Sequence, residues 1–415
     1  MLVFKFGGAS VKDSEGVKNI KNILSTYKNK RLLVVVSAMG KTTNALEEVV
    51  KSFYFKKGNC DQKLQEIEKF HQSIIDLLFD EQVEISNQLQ KIIQKIKSYL
   101  KNIEQQKYDE IYDEVISNGE LLSTLIISHY LNAIGINNKW LDARKYVKTD
   151  SNFREAKVNW EATKSSIDLL DENINLFVTQ GFIGGTSDGK TTTLGREGSD
   201  YTASIFANCL KAESVTIWKD VPGVLSADPR LFSEYQKFNQ LSYAEAVEMT
   251  YYGATVIHPK TIKPLQNSNI PLFVKPFLSP MEEGTIINGE EFKQKNIPAI
   301  IVKKNQTLIS ISSKDFSFIS ELNISQIYTI FARLNIKCNV SQNSALSFTV
   351  CIDFEEMKFE ELIKNLEFSF HVKYNENLTL YTIRHYKLDL LSKLLKGKIV
   401  ILEQLSRNTA QIVVK

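Results

Sequence analysis

The sequence predicts an open α/β sheet with helices on both faces, followed by smaller ferredoxin-like modules. Two observations lead to this fold class. Strand-like runs alternate with helix-like runs through roughly the first 275 residues, which is typical of a sheet covered on both faces. From Ala299 onward, short β-rich runs and helices follow a βαββαβ rhythm, which is typical of ferredoxin-like modules. A chain of 415 residues is long enough for two or three domains.

The first part of the chain supplies the predicted elements in order. Leu2 to Phe6 predicts a strand, Glu15 to Tyr27 a helix, and Arg31 to Val36 a buried strand that can pair in parallel. Apolar residues between Asp61 and Gln106 recur at three- and four-residue steps, which predicts a pair of helices. The alternation resumes in three segments: Ile111 to His129, Leu176 to Gly181 and Ser214 to Trp218.

The second part of the chain predicts helices over Ile324 to Leu334 and Glu355 to Leu366. Strand-like runs lie at Thr349 to Ile352 and Leu378 to Tyr386. All eight prolines fall between Pro222 and Pro298, and the boundary is expected between Pro276 and Pro298. We therefore expect one domain over 1–285, with a helical insertion at about 61–106. A second region should cover 299–415, with two modules of which the second is shortened.

Composition and charge exclude several classes of protein. The 51 Lys and Arg residues are interleaved with 48 Asp and Glu residues, so there is no basic stripe that would indicate nucleic-acid binding. Four scattered cysteines lack metal-ligand spacing and fit a reducing compartment. No apolar stretch is long enough to span a membrane, and the N-terminus does not look like a signal peptide. We expect a cytoplasmic protein.

The strongest candidate for a functional loop lies between Gly181 and Gly198, which holds six of the 18 glycines. Clustered glycines and hydroxyl residues give a backbone with many accessible N–H donors. Arg196 adds a planar guanidinium that matches a carboxylate, and Asp200 falls in the first turn of the next predicted helix. A purely structural loop rarely needs this combination, so the segment favours a binding function.

The strand ends elsewhere carry weaker signals. Lys5 precedes Gly7 and Gly8, a pattern that can bind an anion through the lysine charge and backbone N–H groups. A turn with a solvated lysine explains the same residues, and the spacing of a P-loop is missing. The segment Ser37 to Asn44 follows a buried strand, where ligands bind in open α/β sheets. It equally fits a loop whose Thr43 or Asn44 caps a helix from Ala45.

Three further segments are ambiguous when taken alone. Glu120 follows Ser117-Asn118-Gly119 at a predicted helix start, where a carboxylate also interacts favourably with the helix dipole. Trp218 to Arg230 is a strand followed by two proline turns. His258 precedes a proline and has no partner at zinc-ligand spacing, which favours a packed or loop histidine.

Taken together, these segments resemble the aspartokinases, in which they occur in the same order. The segments are KFGGAS (Lys5 to Ser10), Ser37 to Asn44, NGE (Asn118 to Glu120), Gly181 to Ala203 with TTTLGREGSDYTA, KDVPGVLSADPR (Lys219 to Arg230) and YGATVIHP (Tyr252 to Pro259). The resemblance covers nearly all of residues 1 to 280 and continues more faintly to Lys415. It implies the amino-acid-kinase sheet followed by ACT regulatory modules.

The resemblance also implies an activity. Aspartokinases transfer the γ-phosphoryl group of ATP to the β-carboxylate of L-aspartate, giving an acyl phosphate for lysine, threonine and methionine synthesis. An ionised carboxylate is already a nucleophile, so catalysis needs positioning and charge neutralisation rather than a general base. By similarity, Lys5 would bridge the phosphates, with donors from Gly7, Gly8 and Ser10.

The remaining site residues also follow from the resemblance. Asp200 would orient Lys5 and help hold the Mg²⁺-nucleotide, with Mg²⁺ bound mainly through ATP and no separate protein metal site. On the aspartate side, Arg196 would grip the α-carboxylate and Glu120 would face the α-ammonium. Three hydroxyl residues would border the substrate: Ser37, Thr43 and Ser199. The nucleotide side would use five residues: Lys219, Asp220, Leu225, Arg230 and Lys260.

The sequence departs from the family at several of these positions. Many relatives have Thr, Tyr and Lys where this chain has Lys219, Leu225 and Thr255. One hypothesis is that Lys219, or less readily Lys260, replaces the charge missing at position 255. Glu197 stands where glycine is common, either tuning Arg196 or lying solvated in the loop.

The tail resembles ACT modules, which imply a homodimer and an amino-acid effector. Family effector loops usually carry a glycine before the regulatory helix and an acidic residue on the following strand. Here Phe318 to Asn323 has no glycine, and Asn339 stands at the acidic position. An effector ammonium would lack its carboxylate partner, so we predict weak or absent lysine feedback with dimerisation retained.

Two alternatives remain beside the aspartate kinase. A kinase of glutamate or N-acetylglutamate would share the fold and the lysine-glycine start, although GSDYTA and the Arg196/Glu120 pair favour a free amino acid. A catalytically silent amino-acid sensor would keep the fold and the tail. The intact set of Lys5, Glu120, Arg196 and Asp200 favours an active enzyme.

Overall fold

A computed structural model describes residues 1–81, 83–103, 106–254, 257–294 and 297–415. Its internal contacts divide the chain into two compact units. The first unit comprises Met1–Val224, Lys237–Val247 and Val256–Lys293. The second comprises Leu225–Gln236, Glu248–Thr255 and Gln294–Lys415, so that two of its segments interrupt the sequence of the first unit.

The first unit is built on a mainly parallel sheet. The strands along this part of the chain are β1 (Leu2–Phe6), β2 (Leu32–Val36), β3 (Lys139–Leu141), β4 (Leu176–Gln180), β5 (Ile183–Gly185), β6 (Thr191–Thr193), β7 (Ser214–Lys219), β8 (Gln240–Ser242), β9 (Leu272–Pro276) and β10 (Thr285–Asn288). Eight of them pair in the order β3-β4-β2-β1-β7-β9-β10-β8, and β5 and β6 form a separate antiparallel pair. All neighbours in the large sheet run parallel except β9 and β10.

Helices connect these strands. They are α1 (Ser14–Ser25), α2 (Thr42–Tyr54), α3 (Cys60–Leu78), α4 (Val83–Asn102), α5 (Tyr108–Ile116), α6 (Asn118–Ala133), α7 (Ala143–Tyr146), α8 (Trp160–Ile167), α9 (Gly198–Leu210), α10 (Tyr243–Tyr251) and α11 (Pro259–Asn267). In α1 the apolar residues at helical spacing, Val17, Ile20, Ile23 and Leu24, are all buried. The fold class predicted for this part of the chain is confirmed.

The charged region after α2 forms the helices α3 and α4. Leu64, Ile67 and Ile74 of α3 are buried, as their spacing predicts. Leu77, which continues the same spacing, is instead 66% exposed, and the polar His71 is fully buried. The apolar spacing therefore predicts most but not all of the buried face of α3, which packs against four helices: α1, α2, α4 and α6.

The parallel register brings several strand ends to one edge of the sheet. Lys5 of β1 lies opposite Val35 of β2 and Ile217 of β7, so these three strands end side by side. In sheets of this kind, ligands bind just beyond the carboxyl ends of the strands. The loops after β1, β2, β4 and β7 all start at this edge.

The second unit is an antiparallel sheet with three helices on the described residues. Its elements are β11 (Ala299–Ser313), α12 (Glu321–Arg333), β12 (Cys338–Asn343), β13 (Ser347–Asp353), α13 (Glu356–Glu367), β14 (Phe370–Arg384), α14 (Leu388–Leu395), β15 (Val400–Leu405) and β16 (Thr409–Val414). The strand order is β12-β13-β11-β14-β16-β15. This region confirms the prediction of ferredoxin-like modules.

Two long strands belong to both modules of this sheet. The second half of β11 pairs with β13 and with the first half of β14. The first half of β11 pairs with the second half of β14, which in turn pairs with β16. An irregular register between Lys303 and Leu308 of β11 marks the point where one module passes into the other.

None of the helices formed by the described residues has the length and apolar character that crossing a membrane requires. The four cysteines are free thiols, and two of them, Cys209 and Cys351, are buried.

Candidate active site

The candidate site is centred on Lys5, near the end of β1. Its side chain is only 9% exposed, and its Nζ atom lies 2.6 Å from Oδ1 of Asp200. Asp200 is placed by the first turn of α9, directly above the strand ends. A buried lysine needs such a partner, because an unpaired charge in this position would be strongly destabilising.

Lys219, the last residue of β7, contacts the other oxygen of the same carboxylate. Its Nζ atom lies 3.5 Å from Oδ2 of Asp200. β7 pairs with β1 in parallel, and Trp218 of β7 lies opposite Phe6 of β1. Lys219 is the next residue along β7. One carboxylate therefore faces two ammonium groups, which gives this group of three side chains a net charge of +1.

The ionisation of Asp200 follows from these contacts. Burial opposes the charged form, but the charges and hydrogen bonds of Lys5 and Lys219 outweigh it, so the pKa of Asp200 lies below its ordinary value. The carboxylate is ionised at neutral pH and can orient both lysines.

The glycine pair after β1 allows two loops to approach closely. A Cβ atom on Gly8 would lie 2.6 Å from the carbonyl oxygen of Ala38, too close for any side chain. A Cβ atom on Gly7 would lie 3.5 Å from Nζ of Lys5. The buried Ser10 closes the turn, because its N–H donates to the carbonyl of Gly7 at 3.0 Å.

Glu120 is almost fully buried in the first turn of α6, beside the loop that follows β2. Its Oε1 accepts a hydrogen bond from the N–H of Ala38 at 3.3 Å. Its Oε2 is buried and has no hydrogen-bond partner among the described residues. Burial raises the pKa of Glu120 to about 8, although the Ala38 N–H and the charge of Lys5 favour the carboxylate.

Ser37 and Thr43 lie in the loop after β2 and in the first turn of α2, and both are half-buried. The predicted helix start at Ala45 is wrong, because α2 begins at Thr42. Lys41 takes the N-cap position without a side-chain hydrogen bond, and neither Thr43 nor Asn44 is the cap. The short loop from Ser37 to Lys41 turns directly into the helix, so Thr43 belongs to the helix rather than preceding it.

The glycine-rich loop ends at α9, and the predicted substrate-binding residues Arg196 and Ser199 differ there in their exposure to solvent. Arg196 is exposed, while Ser199 is buried against the end of β4. A Cβ atom on Gly181 would lie 2.4 Å from Cβ of Ser199, so glycine is needed where the strand end meets the helix. Glu197 has a φ of 54°, in the left-handed region that favours glycine.

Asp113 is a buried residue that sequence reasoning missed. Its carboxylate accepts three hydrogen bonds: from N and Oγ1 of Thr193, at 2.8 and 2.7 Å, and from the N–H of Arg154, at 2.9 Å. Burial raises its pKa to about 6 despite these donors. Because Thr193 lies three residues before Arg196, Asp113 anchors the loop that carries Arg196. The sequence offers little signal for this role, because Asp113 is one of four acidic residues within six positions, from Asp109 to Glu114.

The predicted nucleotide-binding residues are divided between the two units. Lys219 and the exposed Asp220 belong to the first unit, and Leu225 and Arg230 belong to the second. Arg230 is exposed, and its Nη2 lies 2.7 Å from Oδ2 of Asp228. Thr255, to which the charge-replacement hypothesis refers, lies outside the described residues.

Lys260 lies in the first turn of α11. A Cβ atom on Gly195 would lie 3.7 Å from its Nζ atom. Lys260 lines an open cavity of about 620 Å³ with Lys263 and with the aromatic residues Trp160 and Tyr201. The described residues contain no group of three or more His, Cys, Asp and Glu side chains suited to hold a metal ion.

Comparisons with known proteins identify the family of this chain. The model of the amino acid kinase family matches residues 1–276. Lysine-sensitive aspartokinase 3 of Escherichia coli is 33% identical over 356 residues, which cover 85% of this chain and 78% of that protein. The chain belongs to the aspartokinases of the amino acid kinase family. It is accordingly an aspartate kinase, an ATP-dependent phosphotransferase, as its motifs predict.

Other aspartokinases are similar over most of the chain. Aspartokinase 1 of Arabidopsis thaliana, a chloroplastic protein, is 32% identical over 377 residues, which cover 87% of this aspartokinase and 65% of the plant protein. The crystal structure of E. coli aspartokinase III in complex with aspartate and ADP, the R-state, has a TM-score of 0.85 at 28% identity and covers 100% of this chain and 96% of that one. The T-state of the same enzyme, with lysine and aspartate, has a TM-score of 0.81 at the same identity and coverage.

Proposed function

We propose that this aspartokinase transfers the γ-phosphoryl group of ATP to the β-carboxylate of L-aspartate at the cluster of Lys5, Asp200 and Lys219. The observation that carries the proposal is the single buried carboxylate of Asp200 facing two ammonium groups. The surplus positive charge suits an anionic phosphoryl group, and no general base is needed because the attacking carboxylate is already ionised.

The phosphate side of the proposed site uses Lys5 and the turn after it. The nearly buried Lys5 ammonium, fixed by Asp200, would contact the oxygens of the transferring group. The absence of side chains at Gly7 and Gly8 leaves backbone donors accessible beside it. Lys219 would supply the second positive charge at the nucleotide phosphates, with Asp220, Leu225, Arg230 and Lys260 proposed for the remainder of the nucleotide.

A magnesium ion would accompany the nucleotide, where it neutralises charge on the phosphates. The donor set of the chain fits this arrangement, because the buried carboxylate near the phosphates, Asp200, is already engaged by two lysines. Such an ion keeps most of its ligands from water and phosphate. Asp200 would orient the nucleotide indirectly, by fixing the side chains of Lys5 and Lys219.

On the aspartate side, each proposed charged residue would face a substrate group of the opposite charge. Oε2 of Glu120 is a buried acceptor without a partner among the described residues, which suits the substrate α-ammonium. Arg196 would bind the α-carboxylate with both arms of its guanidinium. Ser37, Thr43 and Ser199 would border the remaining faces of the substrate.

The decisive experiment traps the acyl phosphate as its hydroxamate, with ATP and Mg²⁺ and one of three acceptors: aspartate, glutamate or N-acetylglutamate. Turnover with aspartate alone supports the proposal. Turnover with another acceptor instead would identify a kinase of a different carboxylate. Turnover with none would favour a silent sensor and contradict the proposal.

The second unit is proposed to act as an ACT-type region that forms the homodimer and responds only weakly to lysine. Both polar atoms of the Asn339 side chain are already engaged. Its Oδ1 accepts from Nζ of Lys303 at 2.8 Å, and its Nδ2 donates to Oε1 of Gln306 at 2.8 Å. An incoming ammonium group would have to displace Lys303 from this position.

The cellular setting proposed for the enzyme is the cytoplasm. Its product would feed lysine, threonine and methionine synthesis, as the family resemblance implies. The four free cysteines suit a reducing compartment.

A further inference from the structure

The helical insertion, α3 and α4, contributes no residue to the site described above, but α3 packs against helices that begin there. One of these is α1, which follows the turn after β1, and another is α2, which follows the loop after β2. A third is α6, whose first turn carries Glu120. One helix of the insertion therefore borders three helices that begin at or just after residues of the candidate site.

The loops after β1 and β2 are joined to each other. The N–H of Gly40 donates to the carbonyl oxygen of Gly8 at 3.0 Å. A Cβ atom on Gly8 would lie 2.6 Å from the carbonyl oxygen of Ala38 and 3.2 Å from that of Gly40, so the two backbones approach closely. The N–H of Ala38 in turn donates to Oε1 of Glu120 at 3.3 Å. The proposed phosphate side and the proposed aspartate side of the site meet at this junction of the two loops.

Phe70 is a side chain through which α3 reaches this junction. A Cβ atom on Gly40 would lie 3.5 Å from Cζ of the Phe70 ring and 3.7 Å from Cβ of Lys12. Because Lys12 belongs to the segment between β1 and α1, the insertion and both loops converge at Gly40. Gly40 has a φ of 56°, in the left-handed region that favours glycine, so the loop has no side chain of its own at this point.

Phe70 is not needed to anchor α3. It is 36% exposed, whereas Ile67 and Ile74 of the same helix are each only 3% exposed. The Phe70 ring meets the ring of the buried His71 edge-on, with 5.1 Å between the centroids, which restricts the orientation of Phe70. A partly exposed ring stabilises the core less than its buried neighbours do. Its position beside the loop is therefore the feature that indicates a role.

We propose that Phe70 is a positioning residue, whose ring limits the movement of the loop after β2 relative to the turn after β1 and so helps to align aspartate with the transferring phosphoryl group. The inference rests on the proposed function, which assigns these two loops to the two substrates. Transfer needs reacting atoms about 3–3.5 Å apart, and a misplacement of about 1 Å costs on the order of 10²-fold in rate. Phe70 therefore need not touch either substrate to affect kcat.

Phe70→Ala removes the ring and tests this role. Calorimetry gives separate dissociation constants for ADP and for aspartate, and steady-state assays with hydroxamate trapping give kcat. We expect kcat to fall about tenfold while each dissociation constant stays within about twofold, because each loop keeps its own ligand contacts and only their alignment is lost. Phe70→Tyr keeps the ring and should recover most of the lost kcat.

Two variants of the same helix separate positioning from stability. Ile67→Ala leaves a cavity in the core and should lower the Tm, but its kcat well below the Tm should stay within about twofold of the unchanged enzyme. Leu77→Ala changes a side chain that is 66% exposed and should alter neither quantity. Phe70→Ala should lower the Tm less than Ile67→Ala, because its ring is partly exposed.

A reciprocal change tests the contact itself. Gly40→Ala adds a methyl group toward the Phe70 ring. The strained backbone at position 40 affects this variant in any background, so the informative quantity is the coupling between the two substitutions. The effects of Gly40→Ala and Phe70→Ala on kcat should be non-additive, because both act where the ring meets the loop.

Several outcomes would overturn the proposal. An unchanged kcat in Phe70→Ala, or an equal loss of kcat in Ile67→Ala, would leave Phe70 with no positioning role. Weaker binding of one substrate in Phe70→Ala would assign the ring to that substrate instead of to alignment. Additive effects in the double variant would show that the ring acts away from Gly40. If the unchanged enzyme forms no hydroxamate with aspartate, the proposed function fails and this inference fails with it, whereas the other outcomes leave the proposed function intact.

Discussion

The Nζ atom of Lys5 lies 2.6 Å from Oδ1 of Asp200, and both side chains are more than nine-tenths buried. The pair lies between the end of the central strand β1 and the first turn of α9. Each residue compensates the charge of the other where water is largely excluded. Changing one of them alters the electrostatics of the reaction and the stability of the fold together.

Asp200→Asn should therefore lower kcat by about 10²- to 10³-fold, because the lysines lose the carboxylate that orients them. The substitution keeps the shape of the side chain but leaves Lys5 without its counter-charge. Steady-state kinetics and thermal unfolding measure the two effects. Asp171→Asn, at an exposed carboxylate, is the control. An unchanged kcat would remove Asp200 from the mechanism.

Arg196→Ala should raise the KM for aspartate much more than the KM for ATP, because the guanidinium is proposed to bind the α-carboxylate. The side chain is exposed, so the Tm should hardly change. Arg196→Lys should recover little, since a single ammonium cannot make the bidentate contact. Equal increases in both KM values would contradict the assignment.

Glu120 should make aspartate binding dependent on pH. Its pKa is raised to about 8 in the absence of substrate, and the α-ammonium needs the ionised form. The KM for aspartate should fall as the pH rises from about 6 to 8, by at most about tenfold per pH unit for one proton released. Glu120→Gln should have a higher and flatter KM. A wild-type KM that does not change in this range would refute the role.

The same carboxyl group should also affect stability in a defined direction. The folded protein retains the Glu120 proton between about pH 4.5, the ordinary pKa of a glutamate side chain, and about pH 8, whereas the unfolded chain releases it. The contribution of Glu120 to the free energy of unfolding therefore decreases as the pH rises through this window. Glu120→Gln should lose less stability over the same range in denaturant titrations.

Asp113→Ala should destabilise the first unit by about 2–4 kcal/mol, because three donors, two of them in buried hydrogen bonds, lose their acceptor. The loop that carries Arg196 would lose its anchor at Thr193, so the KM for aspartate should rise as well. Asp113→Asn keeps one acceptor and should be intermediate. Denaturant unfolding measures the loss, and a Tm equal to that of the unchanged protein would disprove the anchor.

The enzyme should show little inhibition by sub-millimolar lysine, as expected from the role proposed for its second unit. Lys303 already occupies Oδ1 of Asn339, so Asn339→Asp alone should pair with Lys303 and restore little sensitivity. Removing the internal lysine as well, in Lys303→Met with Asn339→Asp, should increase sensitivity. Strong inhibition of the unchanged enzyme would contradict this prediction. Gel filtration of all variants should give the same size.

Sequence reasoning predicted the strands that carry several residues of the candidate site. Lys5 lies in predicted strand β1, and Lys219 directly follows a predicted strand. The parallel pairing of β1 with β7 then brings these two strand ends together. Asp113 could not be placed this way, because its role depends on a contact with Thr193, 80 residues away. The start of α2 was misjudged because hydroxyl residues suggested a cap, although a short loop after β2 required the helix to begin at Thr42.

The shared strands of the second unit also limit how its parts can evolve. Because β11 and β14 each run through both modules, neither module is a separable cassette that could be deleted or exchanged at a linker. Removal of residues 385–415 would uncover the paired edge of β14 and leave a row of unmatched backbone groups. Variation in this region is therefore expected as side-chain replacement within one continuous sheet.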